Sequence, residues 1–207
     1  MKLIMRINLL LVFAILTSCS KVDPNQAIIS KNNIESANKK VDSEEKSIID
    51  LNKEIVNLLK NKNYDKLSTY IHPEKGIHFS MYSFVSDADK NFSKSDFEKY
   101  LHNDEKFTFG HKDGSGAIYT VSLKDYLKDW VFKKDFGNGK INYNNFEGKG
   151  NSLNNIKEKY PNAQTVENYL AGTVEYSYMD WNSLIFIFEK IDNQYYLIAI
   201  ANNQWTV

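Results

Sequence analysis

The most apolar pattern of the folded part lies near the end of the chain. Ser183-Leu-Ile-Phe-Ile-Phe-Glu-Lys-Ile191 and Gln194-Tyr-Tyr-Leu-Ile-Ala-Ile-Ala201 are two β-rich runs joined by Asp192-Asn193. A two-residue Asp-Asn link between such runs predicts a hairpin. Alternation puts Leu184, Phe186 and Phe188 on one face, Ile185 and Ile187 on the other. Both faces are apolar, so the hairpin is expected inside the domain with material packed on each side.

The periodicity upstream is mostly helical. Ile48, Leu51, Ile55, Leu58 and Leu59 share one face of a helix beginning at Asp42 or Ser43; Glu44 and Glu45 favour its positive end. A second helix over Tyr64 to Ile71 should stop before Pro73, because the residue before a proline is pushed out of helical geometry. A strand is expected from Ile77 to Phe84. Ser93 is placed to cap a helix carrying Phe97, Tyr100 and Leu101, and Ser122, with Asp125 three residues on, to cap another. Phe107 to Phe109 and Ile118 to Val121 read as strands about the Lys112–Gly116 turn. Ile141 to Phe146 and Val166 to Leu170 are further strand candidates, and Ser152 to Tyr160 a short helix stopped by Pro161. Helices first and a meander last predict an α+β fold, with early helices on a curved antiparallel sheet that ends in a long hairpin. A cystatin-like or nuclear-transport-factor-like cone is the specific expectation; a fold of that kind carries no function by itself.

The first forty residues follow a different pattern. Lys2 and Arg6 precede an apolar run, Ile7 to Leu16, too short for a comfortable membrane span. Leu16-Thr17-Ser18-Cys19 resembles the lipobox of bacterial lipoproteins. That resemblance implies a signal over 1–18, a diacylglycerol on the Cys19 thiol, with palmitate among the expected acyl chains, and cleavage that leaves Cys19 as the new N-terminus. Acyl chains bury methylenes at about 0.8 kcal/mol each, which makes a stable anchor. Residues 20–41 are polar and without aromatics, the composition of a tether. One globular domain, 42–207, is then expected at the bacterial cell envelope, outside the cytoplasm.

Composition narrows the function classes. The chain has 207 residues, with 26 basic and 26 acidic side chains, and the mature part stays nearly neutral. It lacks the basic footprint of a nucleic-acid binder. Cys19 is the only cysteine, so there is no intrachain disulfide and no thiolate metal site.

Several stretches taken together resemble an uncharacterised family of bacterial exported domains: Ile71-His-Pro-Glu-Lys-Gly-Ile-His-Phe-Ser80, Asp113-Gly-Ser-Gly116, Lys134-Asp-Phe136, Met179-Asp-Trp181 and Asn203-Gln-Trp-Thr-Val207. The resemblance covers about residues 50–207. It implies an exported globular domain and supplies no catalytic residue.

Candidate chemistry is sparse. His72, Glu74 and His78 are close in sequence, but the spacing is not that of a helical metal motif, and Pro73 forbids a helix presenting them together. The plainer reading is a turn at Pro73–Gly76 with His72 at a helix end. Asp87, Asp89, Asn91, Ser93, Ser95 and Glu98 fall at EF-hand ligand positions, yet Phe92 stands where the loop needs glycine, and a Ser93-capped helix explains the same residues. Neither GxSxG nor a phosphate-binding glycine motif occurs. Asp180, Trp181, Asn203, Gln204 and Trp205 suit a pocket for a sugar or peptide, and the two tryptophans suit core plugs equally well. The leading expectation is a non-enzymatic binding or assembly domain for a protein, peptide or glycan, with no cofactor. The rival is a small hydrolase or isomerase using His72 or His78 with Asp180.

Overall fold

The structure is a computed structural model and describes residues 43–150 and 153–206. The expected signal, Cys19, the expected tether, Asp42, Ser152 and Val207 lie outside the described residues. Helix α1 (43–60) carries Ile48, Ile55, Val56 and Leu59 into the core. α2 (Tyr64–Ser68) starts on an Asn63 cap and ends three residues earlier than its pattern suggested. The chain then turns through the Pro73–Gly76 segment into β1 (Ile77–Ser80), which is also shorter than expected. Gly76 has φ +69°, and a β-carbon there would lie 2.0 Å from the Phe92 carbonyl oxygen, so only glycine allows this approach.

β2 (Lys90–Phe92), unforeseen in the sequence, pairs antiparallel with β1. Ser93 caps α3 (Lys94–Leu101), its hydroxyl accepting from the Asp96 amide. β3 (Lys106–His111) and β4 (Ile118–Ser122) form a separate two-stranded ribbon. Ser122 caps α4 (Leu123–Tyr126), which runs on into a wider π-type turn, Leu127–Val131. β5 (Lys140–Tyr143), the single turn α5 (Ile156–Lys159) and β6 (Gln164–Leu170) follow. The Ser152–Tyr160 helix is thus one turn over its described part.

β7 (Asn182–Ile191) and β8 (Gln194–Gln204) make the hairpin. Asp192 and Asn193 both take positive φ, as the tight turn requires. The six-stranded sheet runs β2-β1-β8-β7-β6-β5, antiparallel throughout except where β1 lies parallel to β8. The fold is α+β, and the hairpin is its centre. Leu184, Phe186, Phe188, Leu197 and Ile200 face the helices and an aromatic cluster in which Phe79 meets Phe92, Phe97, Phe109 and Tyr126. Ile185, Ile187, Ala199 and Ala201 face the other way, onto Val85 and Ile156 with Phe146, Tyr160 and Ala163 around them.

A bulge at Ile187/Phe188 disturbs this alternation. Phe188 pairs with Leu197 and Ile187 with Ala199, which skips Ile198 and turns it to the second face beside Ala199. That displaced Ile198 becomes part of the floor of the site described next.

Candidate functional site

Strand alternation places His78. Ile77 and Phe79 point into the helix-covered core, so His78 points to the second face of the sheet. There the chain following α5 brings Tyr160 against it, its hydroxyl 2.7 Å from His78 Nδ1. Asp89, in the loop before β2, sets Oδ2 4.0 Å from His78 Nε2. The Asp89 carboxylate is held in turn by the Ser86 amide at 2.9 Å. The His78 side chain is 12% exposed, and Nε2 is buried with no hydrogen-bond partner among the described residues. Four other described polar atoms share this state, the hydroxyls of Tyr64, Tyr126 and Thr165 and Oδ1 of Asn202.

These groups line a cavity of about 450 Å³. Lys75, Asp87 and Lys159 stand at its walls with Asn91, and Ile198 closes part of the floor. Lys159 pairs with Asp87, and Lys75 with both oxygens of Glu189. Burial pushes the pKa of His78 below its ordinary value, opposed by Asp89, so the ring is neutral at pH 7. Burial also pushes the Tyr160 hydroxyl up to about 12, with Asp89 and Asp87 adding to it. Tyr160 is therefore a phenol. If its proton goes to Nδ1, the imidazole hydrogen sits on Nε2, on the side of Asp89.

A larger cavity, of about 770 Å³, lies between Tyr82, Phe84 and Leu153 and the tip of the β3–β4 ribbon. It is the weaker candidate on chemistry. The Tyr82 hydroxyl already accepts from the Asp113 amide, and none of its lining side chains is a buried polar group without a partner.

The residues singled out in the sequence are spread over the fold. His72 is buried, and its Nδ1 accepts from the Glu74 and Lys75 amides. It closes the Pro73 turn as a neutral ring, its pKa lowered by burial, and is not a cation at a helix end. Asp180 accepts from the amide and hydroxyl of Thr173, which orders the β6–β7 loop. Trp181 is buried against Tyr169 and beneath Gly148 and Gly150, where a β-carbon on Gly148 would come within 2.5 Å of the indole. Asn203 is buried at the wall of another cavity, with Phe146, Lys149, Asn154 and Lys157. Gln204 accepts from Lys133, and Trp205 is half-buried. Asn182 pairs with Gln204, five residues along β8 from the Ala199 that pairs with His78. That is roughly 17 Å of strand, so Asp180 and His78 do not share a site.

The residues of the calcium-like loop have other partners. Asp87 pairs with Lys159, Asp89 accepts from Ser86, Ser93 caps α3, and Glu98 accepts from the Ser68 hydroxyl. Among the described residues no group of three or more His, Cys, Asp or Glu is placed to hold a metal ion. No described helix is long and apolar enough to cross a membrane.

Three residues that matter here had no clear signal in the sequence. Asp89 was legible only as part of the false loop, Tyr160 only as the residue before Pro161, and Glu167 not at all. Glu167 is fully buried, yet it accepts from Ser183 Oγ (2.7 Å), Asn142 Nδ2 (2.9 Å) and the Glu147 and Gly148 amides (2.6 and 3.2 Å). It fixes the loop that seats on Trp181. No family model, curated protein or solved structure matches the chain.

Proposed function

We propose that the chain is a lipid-anchored binding domain of the bacterial cell envelope, held through Cys19, with its ligand site in the His78–Tyr160 cavity. The observation that carries the site is the convergence of His78, Tyr160 and Asp89 at the wall of one cavity. The anchor rests on the charged start, the short apolar run and the lipobox, and the resemblance to exported domains supports the same address. Near-neutral charge favours a small molecule, peptide or glycan over a nucleic acid.

Two experiments test this reading. Cells grown with a labelled fatty acid should label the wild type and not Cys19→Ala; equal labelling would remove the anchor. A small-molecule extract of the producing cells, titrated into the full chain, should shift the His78 ring resonances. A His78→Gln chain should lose the binding. If no extract fraction moves His78, the cavity is not a ligand site.

A second reading keeps one specific observation in its favour. A histidine and a carboxylate do converge in one cavity, with Asp89 in place of Asp180. An imidazole between a carboxylate and a phenol is equipped for proton transfer in a small pocket enzyme, a hydrolase or isomerase. Recovery of a bound ligand chemically unchanged after long incubation favours binding; its conversion favours the enzyme.

A further inference from the structure

We infer that a second cavity binds a small phosphorylated molecule, with its phosphate monoester held between Lys149 and Lys157. This site is separate from the His78–Tyr160 cavity and does not depend on it.

The cavity, of about 480 Å³, is walled by Phe146, Lys149, Asn154, Lys157 and Asn203. Its charge is of one sign. Lys149 and Lys157 are exposed, and neither enters an ion pair among the described residues. No described carboxylate lines the cavity. Glu147, in the same loop, pairs with Lys140, and Glu167, buried behind it, spends its oxygens on four donors. Glu158, next to Lys157 in α5, stands outside the lining. Both ammonium groups are therefore available to a ligand. Lys75 and Lys159 of the His78 cavity are not, because Glu189 and Asp87 hold them.

The surroundings hold these charges in place. Lys149 stands between two glycines seated on the Trp181 indole, and Glu167 fixes the Glu147 and Gly148 amides just before it. Lys157 Nζ lies 5.7 Å from the centre of the Phe146 ring, which sets its charge at the aromatic wall. Asn154 is exposed and spends Oδ1 on the Ile156 amide, 3.0 Å away, so its NH2 group is the end left to donate. Asn203 is buried and tied to the Gly148 carbonyl and the Gln204 amide, and it supports the wall. Two ammonium groups, an amide donor and no acid select an anion. Charge narrows the choice. A phosphate monoester carries nearly two negative charges at neutral pH and matches both lysines, whereas a single carboxylate leaves one unmatched. Lysine binds phosphate as a point charge; the planar fork that best fits a carboxylate belongs to arginine, and none lines this cavity. Phe146 offers an apolar wall to the carbon body of the ligand, and the volume lies within the range of small-molecule sites.

The test follows backbone amide resonances of the full chain in detergent, titrated at pH 7.5 with inorganic phosphate, glucose 6-phosphate, glucose and glucuronate. Both phosphates should move the amides of Gly148 to Gly150 and of Lys157. Glucuronate, with one charge, should bind about tenfold more weakly or worse, and glucose should move nothing. Lys149→Met and Lys157→Met should each weaken glucose 6-phosphate by about tenfold or more, as expected when a charge-assisted hydrogen bond is lost. Lys106→Met, exposed on the β3–β4 ribbon, should leave it unchanged. Lys149 and Lys157 are both exposed, so their variants should melt with the wild type, and a loss of binding is then not a loss of folding. Dihexanoyl phosphatidic acid distinguishes the source: tighter binding than glucose 6-phosphate points to a lipid headgroup, weaker binding to a soluble phosphate ester. The inference is overturned if neither phosphate moves these amides by about 10 mM, well above a 1 mM dissociation constant. It is also overturned if glucuronate or glucose binds as well as glucose 6-phosphate, or if both lysine variants bind like the wild type. Shifts at His78 report the other cavity, so failure here leaves the proposed function standing.

Discussion

Replacing Phe186 with alanine tests whether the hairpin is the centre of this fold. Phe186 is fully buried, and its strand neighbours are Val166 on β6 and Ile200 on β8. Its ring packs 6.2 Å from that of Phe188 and joins the core shared with the helices. Sheet neighbours on both sides cannot collapse into the space the ring leaves, so the transfer loss and the cavity both count. Phe→Ala at such sites costs about 3–5 kcal/mol, against a total stability of roughly 5–15 kcal/mol. For a domain of this size each kcal/mol moves the melting temperature by about 2–4 °C, so a fall of roughly 6–20 °C is expected. Thr120→Ala is the internal control. Thr120 is exposed on the β3–β4 ribbon and shares only a surface hydrogen bond with Thr108, 2.9 Å long. It should cost less than about 1 kcal/mol. Deleting Gln204 to Val207 removes the β8 partner of Asn182, the half-buried Trp205 and the buried Thr206, and should lower the melting point as well. Thermal melts followed by circular dichroism measure all three. A Phe186→Ala chain melting within about 2 °C of wild type would refute the packing argument.

Three further outcomes follow from buried polar groups. Glu167→Ala would strand three donors, the Ser183 hydroxyl and the Glu147 and Gly148 amides, while Asn142 keeps Glu147; at about 1–3 kcal/mol for each that stays buried and unpaired, the melt should fall as far as for Phe186→Ala, and protease cleavage near Gly148 should appear in limited digestion. His78 and His72 both have folded pKa values depressed by burial, below an unfolded value of 6.5. The unfolded chain then binds more protons, so stability is full above about pH 6.5 and is lost as pH falls through the depressed values. Denaturant midpoints from pH 7.5 to 5 should show this slope, and His78→Gln should reduce it; an unchanged slope would mean His78 titrates normally. Lys133 is pushed down to about 8 by burial and by Lys134, and it lies over the Trp130 ring beside Gln204 with no carboxylate pair among the described residues. Below its unfolded value of 10.5 its charged form is a cost, so Lys133→Met should raise the melting temperature at pH 7, with the gain shrinking as pH passes about 8.

Local information determined a good part of this protein. Alternating apolar residues and a two-residue turn specify the β7–β8 hairpin and both its faces, because strand periodicity is a property of the backbone. Ser93 and Ser122 mark their helix starts, since a cap needs only its own side chain and an amide three residues on. The resemblance of Leu16–Cys19 to a lipobox, too, is a matter of sequence alone. Element ends were less secure. α2 stops at Ser68, well before Pro73, because the Tyr70 and Ile71 backbones are drawn into contact with Leu197. The tertiary structure decided what lies next to what. Nothing in the sequence sets β1 parallel to β8, yet that pairing puts His78 on the second face of the sheet. Tyr160 reaches it from 82 residues away, and Asp89 approaches through a loop that resembled a calcium motif. The β7–β8 bulge turns Ile198 beneath them. Periodicity reports which face a residue takes and is silent about which distant residue shares it, so the core could be read along the chain and the candidate site could not.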